Sequence, residues 1–174
     1  MTAPRERYQT AIRSSNLASS RTAATTDADV LGAAGWAGRQ ASLALALLRL
    51  AAGDRHAVDA VAEMLAAKVV GRAWHAHRVQ LPRPDAAEIA QAVLAWHLGG
   101  LCKHCGGHGL KKIAGTPTLG NEPCRPCRGT GEAPFDGQFS REQLPLAQWL
   151  RAEVEREEAA AGGRIRQRIE DNTT

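Results

Sequence analysis

Apolar residues return at helical spacing along most of this chain, and almost nowhere at the two-residue period of a strand. The first clear stripe lies in Asp27–Ala52, where Leu43, Leu47 and Leu50 share one face and Leu45 and Leu48 widen it. This predicts a helix from near Asp27 or Asp29, stopped by Gly53. Gly32, Gly35 and Gly38 lower its intrinsic stability by up to about 1 kcal/mol each. Their three-residue spacing suggests close approach of another backbone. A second helix is predicted from Asp54 to about Val79, on the stripe Val58, Val61, Leu65 and Val69.

Pro82-Arg-Pro84 then interrupts the pattern. Asp85 and Glu88 form an acidic variant of a capping box, predicting a third helix that ends at Gly99-Gly100. Its stripe is Ile89, Val93 and Trp96, with His97 as a partly buried packing residue. After Pro134 a linker leads to a fourth helix, Leu146–Ala160, with Pro145 at its start and Gly162-Gly163 as its stop. Residues 151–158 read as a solvated face of mixed charge. Residues 164–169 read as a separate short basic amphipathic helix.

Between the third and fourth helices the helical period vanishes and chemistry takes its place. The only four cysteines stand as Cys102-Lys-His-Cys105 and Cys124-Arg-Pro-Cys127, separated by 18 residues. Each pair continues as C-x-x-C-x-G-x-G. Two such turns supply the four ligands of a tetrahedral zinc site, with sulfur at about 2.3 Å. The glycines admit positive φ, so that backbone N–H groups face the thiolates. Lys103, Arg125 and Arg128 adjoin the ligands and favour the thiolate form. His104 and His108 are alternative ligands, but four thiolates close the shell and leave no position for a reacting water. The loop Leu110–Asn121, broken by Gly115, Pro117 and Gly120, reads as a short hairpin or an irregular loop.

The predicted class is therefore mostly α, a small helical domain with an inserted four-cysteine zinc module. Its parts are a disordered basic arm (1–26, with Arg5, Arg7, Arg13 and Arg21), a helical body (27–100), the module (101–131) and a C-terminal helical region packing on the body (132–174). The arm reads first as a solvated leader, alternatively as a tail that touches nucleic acid.

Composition adds three things. Residues 1–29 contain no apolar signal segment, which predicts a cytosolic chain with reduced thiols. The longest apolar run, Ala41–Leu48, is far too short to span a bilayer. The net charge of +4 is mildly basic. Within 101–131, Lys103, Lys111, Lys112, Arg125 and Arg128 against Glu122 leave +4, and about +2 once four thiolates and one divalent ion are included. Such a module suits the DNA backbone, with Arg125 and Arg128 able to reach guanine edges. A structural staple with solvated lysines is the plainer alternative. The end of the second helix carries Arg72, Trp74, His75, His77 and Arg78. The preferred reading is a solvated helix end with one buried tryptophan; the alternative is phosphate contact with Trp74 stacking. No nucleophile elbow, zinc-protease motif, phosphate-binding loop or dinucleotide fingerprint occurs, so an enzyme is not expected.

The unit C-x-x-C-x-G-x-G resembles the zinc region of DnaJ-type co-chaperones, which hold four units; this chain has two and lacks His-Pro-Asp. A resemblance covering residues 27–170 is to the Q antitermination proteins of lambdoid bacteriophages. It is carried by Asp29–Ser42 (DVLGAAGWAGRQAS), Leu101–Gly109 (LCKHCGGHG) and Pro123–Gly131 (PCRPCRGTG). That resemblance implies a factor that binds double-stranded DNA in a late promoter. It engages host RNA polymerase and its sigma factor, and carries the enzyme through terminators in the bacterial cytoplasm. On that basis the module and adjacent helices face DNA and the apolar body contacts polymerase. The alternatives are a DnaJ-like zinc adaptor and a plain DNA-binding regulator.

Overall fold

The computed structural model describes residues 4–14, 26–40, 42–113, 115–116 and 118–173. Among these the chain is mostly helical, with one two-stranded sheet. The helices are α1 (Pro4–Ile12), α2 (Asp27–Gln40), α3 (Ser42–Ala51), α4 (Val58–His77), α5 (Arg83–Gly99) and α6 (Leu144–Thr173). Strands β1 (Leu110–Lys112) and β2 (Leu119–Pro123) pair antiparallel between α5 and α6. Among the described residues no helix is long and apolar enough to cross a membrane.

The single long helix expected over 27–52 is instead two, α2 and α3. Gly38 allows the corner: a Cβ there would collide with the side chain of Leu45. Seven residues of straight helix would separate these positions by about 10 Å. The expected close approach of another backbone is not what these glycines serve: the atoms nearest Gly38 belong to the Leu45 side chain, and Gly32 and Gly35 face open space. A reciprocal cap begins α2. The Thr26 N–H donates to Asp29 Oδ2 at 2.9 Å, and the Asp29 N–H to Thr26 Oγ1 at 3.3 Å. The bond from the Thr26 hydroxyl, then that from its backbone, holds the Asp29 carboxyl below its usual range.

Two apolar clusters share α3 and α6. Leu43, Leu47 and Leu50 of α3 pack with α4, α5 and the first half of α6, through Leu65, Val69, Ile89, Val93, Leu150 and Val154. Ala44 and Leu48, on the other side of α3, pack with α1, α2 and the second half of α6. One α6 thus runs beneath both groups.

This arrangement corrects three expectations. Residues 4–12 of the presumed arm form α1, because Tyr8 and Ala11 bury against the second cluster. Residues 1–3 and 15–25 lie outside the described residues. Gly162-Gly163 does not stop α6, which continues to Thr173 because Ala161, Ile165 and Ile169 complete that cluster. Tertiary burial here outweighs an intrinsic cost of about 1 kcal/mol per glycine. Residues 164–169 are therefore a stretch of α6. Finally, α5 begins at Arg83 after Pro82, with no side-chain cap. Asp85 sits inside its first turn, where Pro84, lacking an N–H, is tolerated.

Candidate metal centre

The C-x-x-C-x-G-x-G unit folds the same way twice, and the two copies face each other. The Cys102 N–H donates to the Gly131 carbonyl at 2.8 Å, and the Cys124 N–H to the Gly109 carbonyl at 2.7 Å. Within each copy the chain turns back on the first cysteine. The Gly106 N–H reaches the Cys102 carbonyl at 2.7 Å, and the Gly129 N–H the Cys124 carbonyl at 3.2 Å. The last glycine of each unit packs onto the middle glycine of the other. A Cβ on Gly109 would collide with the Gly129 carbonyl, and one on Gly131 with that of Gly107. Both also have positive φ, +73° and +79°, so glycine is required there twice over.

This pairing brings the four sulfurs together. All lie within 4.8 Å of one another and all four residues are buried. The Sγ–Sγ distances are 3.9 Å for Cys102–Cys124 and 3.8 Å for Cys105–Cys127. These are far beyond a disulfide, and the cysteines are free. A tetrahedron of thiolates at about 2.3 Å from one ion has edges of about 3.8 Å, so the donor set fits a metal ion. The Gly109 N–H donates to Cys105 Sγ and the Gly131 N–H to Cys127 Sγ, each at 3.3 Å. These bonds stabilise thiolate. Burial raises the Cys127 thiol, but the Gly131 and Gly129 N–H groups and the Cys124 and Cys105 thiols bring it down to about 6. Burial pushes Cys124 up to about 12, with Cys127, Cys102 and Cys105 adding to the rise. A divalent cation bound here would take all four as thiolates.

The remaining predicted residues lie on the outside. Lys103, Lys111, Lys112, Arg125 and Arg128 are all exposed. Lys103 and Arg125 occupy matching places in the two units. Lys111 is held across the hairpin by Glu122 at 3.1 Å, and the Lys112 ammonium lies beside Gly106. Among the described residues no carboxylate pairs with Lys103, Lys112, Arg125 or Arg128. Arg128 matches Gly106, yet it adopts φ 53° with a full side chain.

The base of the module is fastened to the helices by residues that sequence reasoning did not assign. Leu101 bridges to Glu132, and the Ala133 N–H donates to the Gly100 carbonyl at 2.7 Å. Trp96 Nε1 donates to the Ala133 carbonyl at 2.9 Å, and its ring meets Phe135 edge-on at 5.1 Å. The Arg151 guanidinium lies 4.2 Å over Trp96 and pairs with Glu132 and Glu155. Residues 151–158 are thus not simply a solvated face. His97 contacts Glu158 at 3.1 Å, which ties α5 to α6. Ser140 and Gln143 form a reciprocal cap leading into α6, an S-x-x-Q signature that could have marked this helix start and that sequence reasoning did not use.

Compared with known proteins, the chain matches no protein-family model and no curated sequence.

Proposed function

We propose that this chain is a phage-type transcription antitermination factor that acts by binding and not by bond chemistry. Its four cysteines hold one structural zinc ion, the ion that buried four-thiolate sites of this spacing take. The supporting observation is the division of the module. Four sulfurs close around one point, which leaves no position for a substrate. Four exposed cations, Lys103, Lys112, Arg125 and Arg128, which have no acidic partner among the described residues, stand on its outer turns. That is a rigid support for phosphate contacts with double-stranded DNA. The resemblance to Q proteins supplies the late promoter, the host RNA polymerase with sigma factor, and the bacterial cytoplasm.

A transcription assay tests this. The template carries the late promoter and downstream terminator from the genome that encodes the chain, transcribed by host polymerase holoenzyme. Added protein is expected to raise readthrough, and Arg125→Ala to lower that gain. Unchanged termination overturns the reading. Exposed Leu101, Leu110 and Ile113 on the module favour a second reading, a zinc adaptor that holds apolar polypeptide. Suppression of client aggregation would support it.

A further inference from the structure

Of the four tryptophans, Trp36, Trp96 and Trp149 pack against the two clusters, whereas Trp74 is 46 % exposed. The buried tryptophan expected at the end of α4 is therefore an open ring. Arg78 caps this helix in the left-handed region (φ 54°, ψ 29°), and its N–H donates to the Ala73 and Trp74 carbonyls. The Val79 N–H also returns to Ala73, at 3.2 Å. This reversal carries residues 79–82 back beside Trp74. A groove of about 510 Å³ results, lined by Val70, Trp74, Val79, Gln80, Leu81 and Pro82. Val79 is 49 % exposed. A glycine would ease this cap, yet arginine occupies it, and its guanidinium stands 6.0 Å from the Trp74 ring centre. His77, three residues after Trp74, lies on its face of the helix, and His77 and Arg78 are both exposed. From Met64 to Pro84 the chain has no acidic residue.

We propose that this groove binds an unpaired base of a single-stranded nucleic acid. Trp74 stacks on the base, Val79, Leu81 and Pro82 wall the opposite side, and the Gln80 amide meets the polar edge. Arg78 and His77 hold the adjoining phosphates. A flat ring, one amide and a guanidinium beside an imidazole on one rim match a base beside its phosphate; an acidic peptide presents no such planar face. A duplex hides its base faces, so the site is separate from the zinc module's proposed DNA contact and independent of the antitermination reading.

The test uses the full-length, zinc-loaded protein and fluorescence anisotropy with labelled oligo(dT), oligo(U) and a duplex of equal length. At least one single strand is expected to bind; whether DNA, RNA or both do identifies the natural source. Trp74→Ala should weaken that binding about tenfold. Trp74→Phe should keep it within about threefold, since phenylalanine also stacks. Duplex affinity should not change in either variant. Unaltered far-UV circular dichroism checks the fold, which an exposed side chain does not hold together. The proposal is overturned by any of four results: neither strand binds; Trp74→Ala binds as the parent does; the duplex loses equally; or polyglutamate competes with the same dependence on Trp74, which would indicate an acidic protein partner.

Discussion

Gly109 and Gly131 carry the tightest constraint in the metal module. Each has a positive φ, and each faces the other unit's carbonyl where a Cβ would stand. Gly131→Ala therefore adds left-handed strain of about 1–2 kcal/mol to a clash. It also displaces the N–H that bonds Cys127 Sγ. Metal affinity should fall by about tenfold or more, measured by competition with a chromogenic chelator. Gly137→Ala, with open space around its Cβ and no positive φ, should leave affinity unchanged; equal losses at both sites would show that the packing does not matter. The cysteines and these glycines were legible because their roles follow from spacing along a few residues. Trp74 and Arg151 were not. Whether Trp74 is buried depends on how residues 79–82 double back. Arg151 reads as one charge among many until the chain after the module brings Trp96 and Phe135 beneath it.

At the scale of elements, periodicity located α4 and α5 well, because each buries one continuous stripe, whereas α3, which serves both clusters, was read as one helix with α2. It failed where local signals met a distant surface. Gly162-Gly163 reads as a stop, and α1 as a solvated arm, since nothing nearby shows that Ile165, Ile169, Tyr8 and Ala11 meet in one cluster. Continuity of α6 has a direct test. Gly163 lies inside the helix with nothing within 4 Å of its Cβ position. Gly163→Ala should stabilise the protein by up to about 1 kcal/mol. In a chain of this size that raises the melting temperature by about 2–4 °C, read by thermal circular dichroism. A lowered melting temperature would place a break or a left-handed residue at this position. Across α4 and α6, Lys68 joins Glu153 at 2.8 Å and Glu157 at 2.9 Å, which fixes the register of the two longest helices.

For the whole molecule the question is which part depends on which. The two apolar clusters contain residues of α1–α6 and Phe135, while the four cysteines form a cluster of their own. Leu101, Leu110 and Ile113 are exposed and contribute nothing to the helical core. Among the described residues the module is joined at its base, through Gly100–Ala133, Leu101–Glu132, Trp96 and Arg151. Metal binding contributes about 10–16 kcal/mol to the folding of small zinc modules, which is more than a hairpin of this length holds by itself. Removing the metal with a strong chelator should therefore unfold residues 101–131 and leave α1–α6 standing. Hydrogen exchange should show the Cys102, Cys124, Gly109 and Gly131 amides losing protection, while those of α4 and α5 keep theirs. Far-UV helical signal should change little, and restored metal should recover protection. A collapse of helical signal on chelation would reverse the dependence. The Trp96–Phe135–Arg151 joint would then transmit the metal's contribution into the core, and the module would be a keystone of the fold and not an appendage presented by it.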